Sequence, residues 1–237
     1  MTAIKSPWLL AFGLVSVVHL VLNGAGAEPW DSVSKCLIAP LLVGWVMEQQ
    51  GPRLLLVALV FCFLGDLFLE IEDLFIVGMA AFAAGHIAFI TFFIQRGALD
   101  RLRSRPLIVV VYVVAAIGMV AWCWGGLEPG LKPAIPVYAA LLVGTAATSL
   151  ASDVRAGVGG ALFLASDGII ALSEAGRIDK DATATGLAIM ALYILAIFFL
   201  ASGILQRDGR TRAAGTGFDP TQRTDCWPRV PAQKSDV

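Results

Sequence analysis

Long apolar runs separated by brief polar or Pro/Gly punctuation fill residues 7–23, 33–49, 54–70, 74–95, 106–126, 133–151, 157–174 and 183–205. A helix crossing the hydrocarbon core needs about 20 largely apolar residues, within a range of about 17 to 25. Each run meets that length, so the pattern predicts an all-α membrane protein with eight transmembrane helices. The connections are short, which makes sequential helices antiparallel neighbours and residues 1–205 one transmembrane domain. Residues 206–237 break the pattern. Arg, Asp, Gly, Thr, Pro and Gln dominate there without an apolar period, and a disordered cytoplasmic tail is expected.

Composition strengthens the membrane reading. Hydrophobic residues make up 58% of the chain and charged residues only 15%, where a soluble domain is near half apolar and a quarter charged. A net charge of −1 supplies no basic field, so a nucleic-acid partner has nothing to recommend it. Of the four cysteines, Cys36, Cys62 and Cys123 lie in apolar runs and no CxxC pair occurs. Neither a disulfide framework nor a metal knuckle is indicated, and the cysteines read as small buried hydrophobes.

Charge also sets orientation. With eight crossings, the N-terminus, alternate loops and the C-terminus share one face, which carries Lys5, Arg53, Arg96, Arg101, Arg103, Arg105, Arg155 and Arg207. The other face carries Lys132, Arg177 and Lys180, with Lys35 at the start of the second helix, and collects Glu28, Asp31, Glu72, Asp73 and Glu128. Because positive charge stays inside, both termini are expected in the cytoplasm, in a bacterial cytoplasmic membrane. Lys5, a short apolar run and Ala25-Gly26-Ala27 also fit a cleaved signal peptide. Cleavage would leave seven helices in the same orientation.

Ionisable groups within hydrocarbon are costly and survive where they face a bundle interior or wet cavity, which makes them candidates for function. The third predicted helix carries Gly65-Asp66 and, one turn on, Glu70; the seventh carries Ser166-Asp167. Both helices run in the same direction, and each Asp lies about two-thirds along its helix at about 1.5 Å per residue. The two carboxylates therefore share a depth in the non-cytoplasmic half. Lys35, Tyr138, His86 and Tyr193 fall in or near the same half, as does His19. The competing reading is structural: the aspartates cap or pair within the bundle, for instance with Lys35. Phe63-Leu64-Gly65-Asp66 also echoes Phe163-Leu164-Ala165-Ser166-Asp167 four helices later, as a parallel duplication or chance similarity would both allow.

The combination of Gly65-Asp66-Leu67-Phe68-Leu69, Phe75, Gly78, Phe82, His86, Pro136-Val137 and Gly160-Ala161-Leu162-Phe163-Leu164-Ala165-Ser166-Asp167 resembles the YhhN-like lysoplasmalogenase family, from about Lys35 to Tyr193. The resemblance implies an eight-helix membrane fold, which favours retaining the first segment. It further implies hydrolysis of the vinyl ether bond of lysoplasmalogens, giving a fatty aldehyde and a glycerophospho-alcohol. Asp66 and Asp167 match the family's carboxylates. Departures from the pattern are Phe89 and Ala140 where Tyr is usual, with Tyr138 two residues before the latter, and Ile194 and Ile197 where a Tyr and a Gln are common.

The residues suit that chemistry. Vinyl ether hydrolysis begins with proton delivery to carbon, and a carboxyl in apolar surroundings keeps its proton closer to neutral pH. A second carboxylate stabilises the oxocarbenium ion and activates water, as paired carboxyls do in glycoside hydrolysis. Lys35 is a candidate phosphate ligand; Gly65, Glu70, His86, Tyr138, Ser166 and Tyr193 are candidate binding or supporting residues. The expected partners are a lysophospholipid substrate and membrane lipid, with no cofactor and no metal.

Three rival readings separate on the residues. Phe63 occupies the first glycine of the Gly-x-Gly-Asp motif of an intramembrane aspartyl protease, and no Pro-Ala-Leu triplet appears near the end of the chain. A membrane zinc amidase needs more histidines than His19 and His86. A proton-coupled transporter or lipid-binding protein is the alternative, its aspartates relaying protons or holding a cation.

Overall fold

The computed structural model describes residues 6–215, which form nine helices and no strand. They are α1 (Pro7–Ala25), α2 (Trp30–Glu48), α3 (Arg53–Leu69), α4 (Phe75–Gln95), α5 (Ala98–Arg103), α6 (Pro106–Cys123), α7 (Ala134–Ser152), α8 (Val154–Glu174) and α9 (Thr183–Gly215). All eight expected runs fold as helices. Seven are long and apolar enough to cross a membrane, and α3, with 17 residues, sits at the lower limit for a span. The chain is an all-α, multi-pass integral membrane protein. The short α5 lies in what the sequence pattern left as a connection. α9 continues to Gly215, past the expected boundary at 205. Of the expected tail, residues 216–237 lie outside the described residues.

The ends of the helices follow local chemistry. Ser6 caps α1 by accepting from the Leu9 amide, and its own hydroxyl donates to the Glu48 carboxylate at the far end of α2. Asp153 alone separates α7 from α8 and accepts from the Arg155 and Ala156 amides at 2.9 and 3.1 Å, satisfying donors that a helix start leaves open. α1 belongs to the bundle: Phe12 is buried and stacks on Phe198 with centroids 6.1 Å apart, and His19 Nδ1 lies 3.0 Å from Ser34 Oγ.

With lipid outside, apolar side chains gain little by turning inward, so close packing between helices holds the bundle. Leu14, Leu107 and Ile117 face outward with 67%, 70% and 64% of their surface exposed. Inside, α8 and α9 approach backbone to backbone: a Cβ at Gly203 would stand 2.5 Å from the Ala156 nitrogen, and one at Gly159 2.5 Å from the Leu200 nitrogen. Beside this seam Arg101 donates to the carbonyls of Ala151 and Arg96 and to Ser152 Oγ at 2.8, 2.9 and 3.0 Å. Arg207 donates to the Ser152 and Arg96 carbonyls, and Arg96 pairs with Asp208 at 2.5 Å. These bonds tie the ends of α4 and α7 to α5 and the extended α9. α6 is peripheral, with Cys123 its one buried residue.

Candidate active site

At the opposite end of the bundle the helices part around a cavity of about 270 Å³. Its wall takes the start of α2 (Lys35), the end of α3 (Asp66), the start of α7 (Tyr138), the latter half of α8 (Ser166, Asp167) and the start of α9 (Tyr193). Parallel α3 and α8 thus bring both aspartates to one space. Asp66 is 1% exposed; Asp167 is half-buried.

Each carboxyl receives one tyrosine hydroxyl. Tyr193 donates to Asp66 Oδ2 at 2.6 Å, and Tyr138 donates to Asp167 Oδ2. The hydroxyls come from α9 and α7, so each aspartate is oriented by a helix other than its own. Aromatic packing fixes those tyrosines. Phe82 meets Tyr193 edge-on at 5.9 Å and Phe163 at 6.1 Å, while Phe163 and Tyr193 pack at 5.5 Å. Such edge-to-face pairs are favoured by ring quadrupoles. Gly65 has a clear reason to lack a side chain, because its Cβ would fall 2.5 Å from the Phe82 ring.

His86 stands behind this wall rather than on the cavity. It is 1% exposed, lies 4.6 Å from the Phe163 ring and 5.7 Å from the Tyr138 ring, and has Nδ1 3.0 Å from Thr145 Oγ1. Its Nε2 has no hydrogen-bond partner among the described residues. Its position makes it a support for Tyr138 and Phe163. Thr145 is a residue that the sequence did not single out, since a lone threonine in an apolar helix carries no signal of its own.

Lys35 lines the cavity, but its ion pair is with Glu70 at 2.7 Å, not with either aspartate. Glu70 follows the last residue of α3, and only 26% of its side chain is exposed. Ser166 also reaches the cavity while donating to the Ile189 carbonyl of α9 at 3.0 Å, which ties α8 to α9 beside Asp167. Glu174 lines the same space, about two turns beyond Asp167 on α8. Gly65, Glu70 and His86 therefore support the site from outside it, and the remaining candidate residues border it. His19 belongs to a separate contact with Ser34 and the Asp31 carbonyl.

Despite the departures at Phe89, Ala140, Ile194 and Ile197, each carboxyl keeps one tyrosine hydroxyl. Phe89, Ile194 and Ile197 are buried in the core, and Tyr138 supplies the hydroxyl on Asp167. Among the described residues no three His, Cys, Asp or Glu side chains cluster as metal ligands.

What the arrangement offers is two tyrosine-held acid groups, with Lys35, Ser166 and Glu174 beside them, in a space otherwise walled largely by side chains such as Phe75, Met79, Phe82, Leu142 and Leu164. Each carboxyl has one oxygen held by a tyrosine hydroxyl. The model of the YhhN family matches residues 30–204. The human protein lysoplasmalogenase TMEM86B (Homo sapiens) is 32% identical over 174 residues, covering 69% of this chain and 73% of that protein. No solved structure matches.

Proposed function

The chain belongs to the YhhN family, and on that premise we propose that it hydrolyses the vinyl ether bond of a lysoplasmalogen, with Asp66 and Asp167 as its acid and base. The observation that carries the reading is the pair itself: two carboxyls from parallel helices on one apolar-walled cavity, each held by a tyrosine hydroxyl. The similarity to a protein named lysoplasmalogenase supports the reaction class.

The steps balance within the pair. One carboxyl gives its proton to the vinyl carbon remote from oxygen, and the adjacent carbon becomes an oxocarbenium ion. The other, ionised, stabilises that cation and takes a proton as water adds to it, giving a hemiacetal. In the collapse the second carboxyl returns its proton to the departing glycerol oxygen, while the first takes the hemiacetal proton. Aldehyde and glycerophospho-alcohol leave, and both aspartates are back in their starting states. Excluding bulk water strengthens the electrostatic stabilisation of the cation. Lys35, poised by Glu70 at the cavity wall, binds the phosphate as a point charge.

Purified protein in detergent, given a lysoplasmalogen, is expected to release free aldehyde. Folded, monodisperse protein that releases none would sink the assignment.

Orientation belongs to the same proposal. The arginine-rich end is cytoplasmic by the positive-inside rule, so the cavity lies in the non-cytoplasmic half. A reporter fused after Val237 should be active in the cytoplasm, and activity confined to the far side would reverse the orientation.

A further inference from the structure

The carboxylate cavity is too small for the whole substrate. Its volume of about 270 Å³ lies just below the range of roughly 300–1,000 Å³ that holds a drug-sized ligand, and a long-chain lysophospholipid is larger still. A second space of about 880 Å³ opens between α4, α5, α6 and α7. Ala116 and Val120 of α6 and Ala139 of α7 line both spaces, so these three residues form the wall that the two share. From Tyr138, beside Asp167, to Thr148 at the far end of the groove is about 15 Å along α7 at 1.5 Å per residue.

The groove's chemistry names its occupant. No ionisable side chain lines it, and the Thr148 hydroxyl is turned onto the Gly144 carbonyl at 2.6 Å. It starts at the reacting depth and runs toward the arginine-rich end, away from Lys35. We propose that this groove receives the hydrocarbon chain of the substrate, which passes over Ala116 and Ala139 from the aspartate pair and lies between α6 and α7. The proposal rests on the hydrolase reading above and adds where the chain goes and which residues select its length.

Because the alternative environment of the chain is lipid, as apolar as the groove, the groove selects by available space rather than by hydrophobic affinity. Substitutions that fill it should therefore discriminate against long chains. Ala140 and Val113 line the groove without touching the carboxylate cavity, and Val113 is 38% exposed, so bulk there is tolerated by the fold. Val137, on α7 and 65% exposed, lines neither space and serves as the control.

The experiment compares lysoplasmalogens bearing an octadecenyl or an octenyl chain. Ala140→Trp and Val113→Trp should lose about tenfold or more in kcat/KM on the octadecenyl substrate, the scale of misfit in an apolar pocket. The octenyl substrate, whose chain reaches only the first part of the groove, should lose much less, and its turnover also shows that each variant folds. Val137→Trp should change neither. Equal losses on both chains, or no loss on the long one, would overturn the groove. Should the parent protein cleave neither substrate, the hydrolase reading itself fails. The groove is then judged by an octadecyl ether lysophospholipid carrying a terminal diazirine: crosslinking to the groove segments of α6 and α7, lost in Ala140→Trp, supports it, and crosslinking elsewhere refutes it.

Discussion

The two ends of this bundle use polar groups in opposite ways. At the end built on Arg96, Arg101, Arg207 and Asp208, guanidinium donors meet backbone carbonyls and a carboxylate, and glycines bring α8 and α9 into backbone contact. Polar groups there consume one another and close the structure. At the other end Asp66 and Asp167 each receive a single hydroxyl and face open space. Carboxyls so lightly partnered at membrane depth cost stability, and such groups are candidates for function. The contrast teaches that polarity alone does not single out a candidate site in a membrane bundle; polarity beside a cavity does.

The strongest way to break this comparison is to neutralise the open end. Asp66→Asn and Asp167→Asn keep shape and remove proton transfer, so turnover should fall by about two orders of magnitude or more, the scale of general acid-base catalysis. Thermal stability should hold or rise, since an amide in an apolar site costs less than a charge. The double variant should lose little beyond the worse single one, as the proposal that both groups serve one transition state requires. Lost stability with activity per folded molecule preserved would make the pair structural.

A smaller effect is expected from the tyrosines. Tyr193→Phe and Tyr138→Phe each delete one hydroxyl while leaving the ring contacts with Phe82, Phe163 and His86 intact. A hydrogen bond to a charged group contributes about 1.5–3 kcal/mol, so kcat should fall roughly 10- to 100-fold in each. Unchanged kcat in either variant would show that the hydroxyl only fills space.

The closed end should respond in stability alone. Gly203→Val drives side-chain carbons into the Ala156 backbone, where a Cβ already lies 2.5 Å from the nitrogen, and backbone cannot rotate aside as a side chain can. Overpacking of this kind costs about 1–3 kcal/mol, read as a lower Tm in detergent. Turnover per folded molecule should be unchanged. A fall in turnover at full stability would mean that the two ends are coupled.

How much of this was legible in the sequence follows the same division. The eight long helices were readable because apolar runs are delimited by Pro, Gly and charge. The aspartates were readable because charge at membrane depth is conspicuous, and their common depth follows from helix direction alone. Their tyrosine partners were not assigned to them in advance: which hydroxyl reaches which carboxyl depends on how α7 and α9 pack around α3 and α8. Lys35 had Glu70 as its partner for the same reason. The helix α5, ALDRLR, is too short to show a period and is held by the bonds of Arg101. α9 runs past residue 205 through Arg207 and Asp208, whose bonds to α4 and α7 are tertiary and leave no trace in local composition.

The finest test of the contrast is whether the closed end depends on charge or on the fork of the guanidinium. Arg101 spends Nε on the Ala151 carbonyl and Nη2 on the Arg96 carbonyl and Ser152 Oγ, at the last turn of α7, where carbonyls have no intrahelical donor. A lysine there keeps a positive charge near the negative end of the helix dipole, an interaction of about 0.3–1 kcal/mol. It lacks the planar set of donors that reaches three acceptors at once. Arg101→Lys should therefore lower stability by about 1 kcal/mol, one net hydrogen bond, and Arg101→Ala by more, because the carbonyls and the dipole then both go unanswered. Neither should alter turnover, since the site lies at the other end of the bundle. If Lys restores the full Tm, charge alone closes this end; if Lys and Ala are equally destabilised, the fork does all of it.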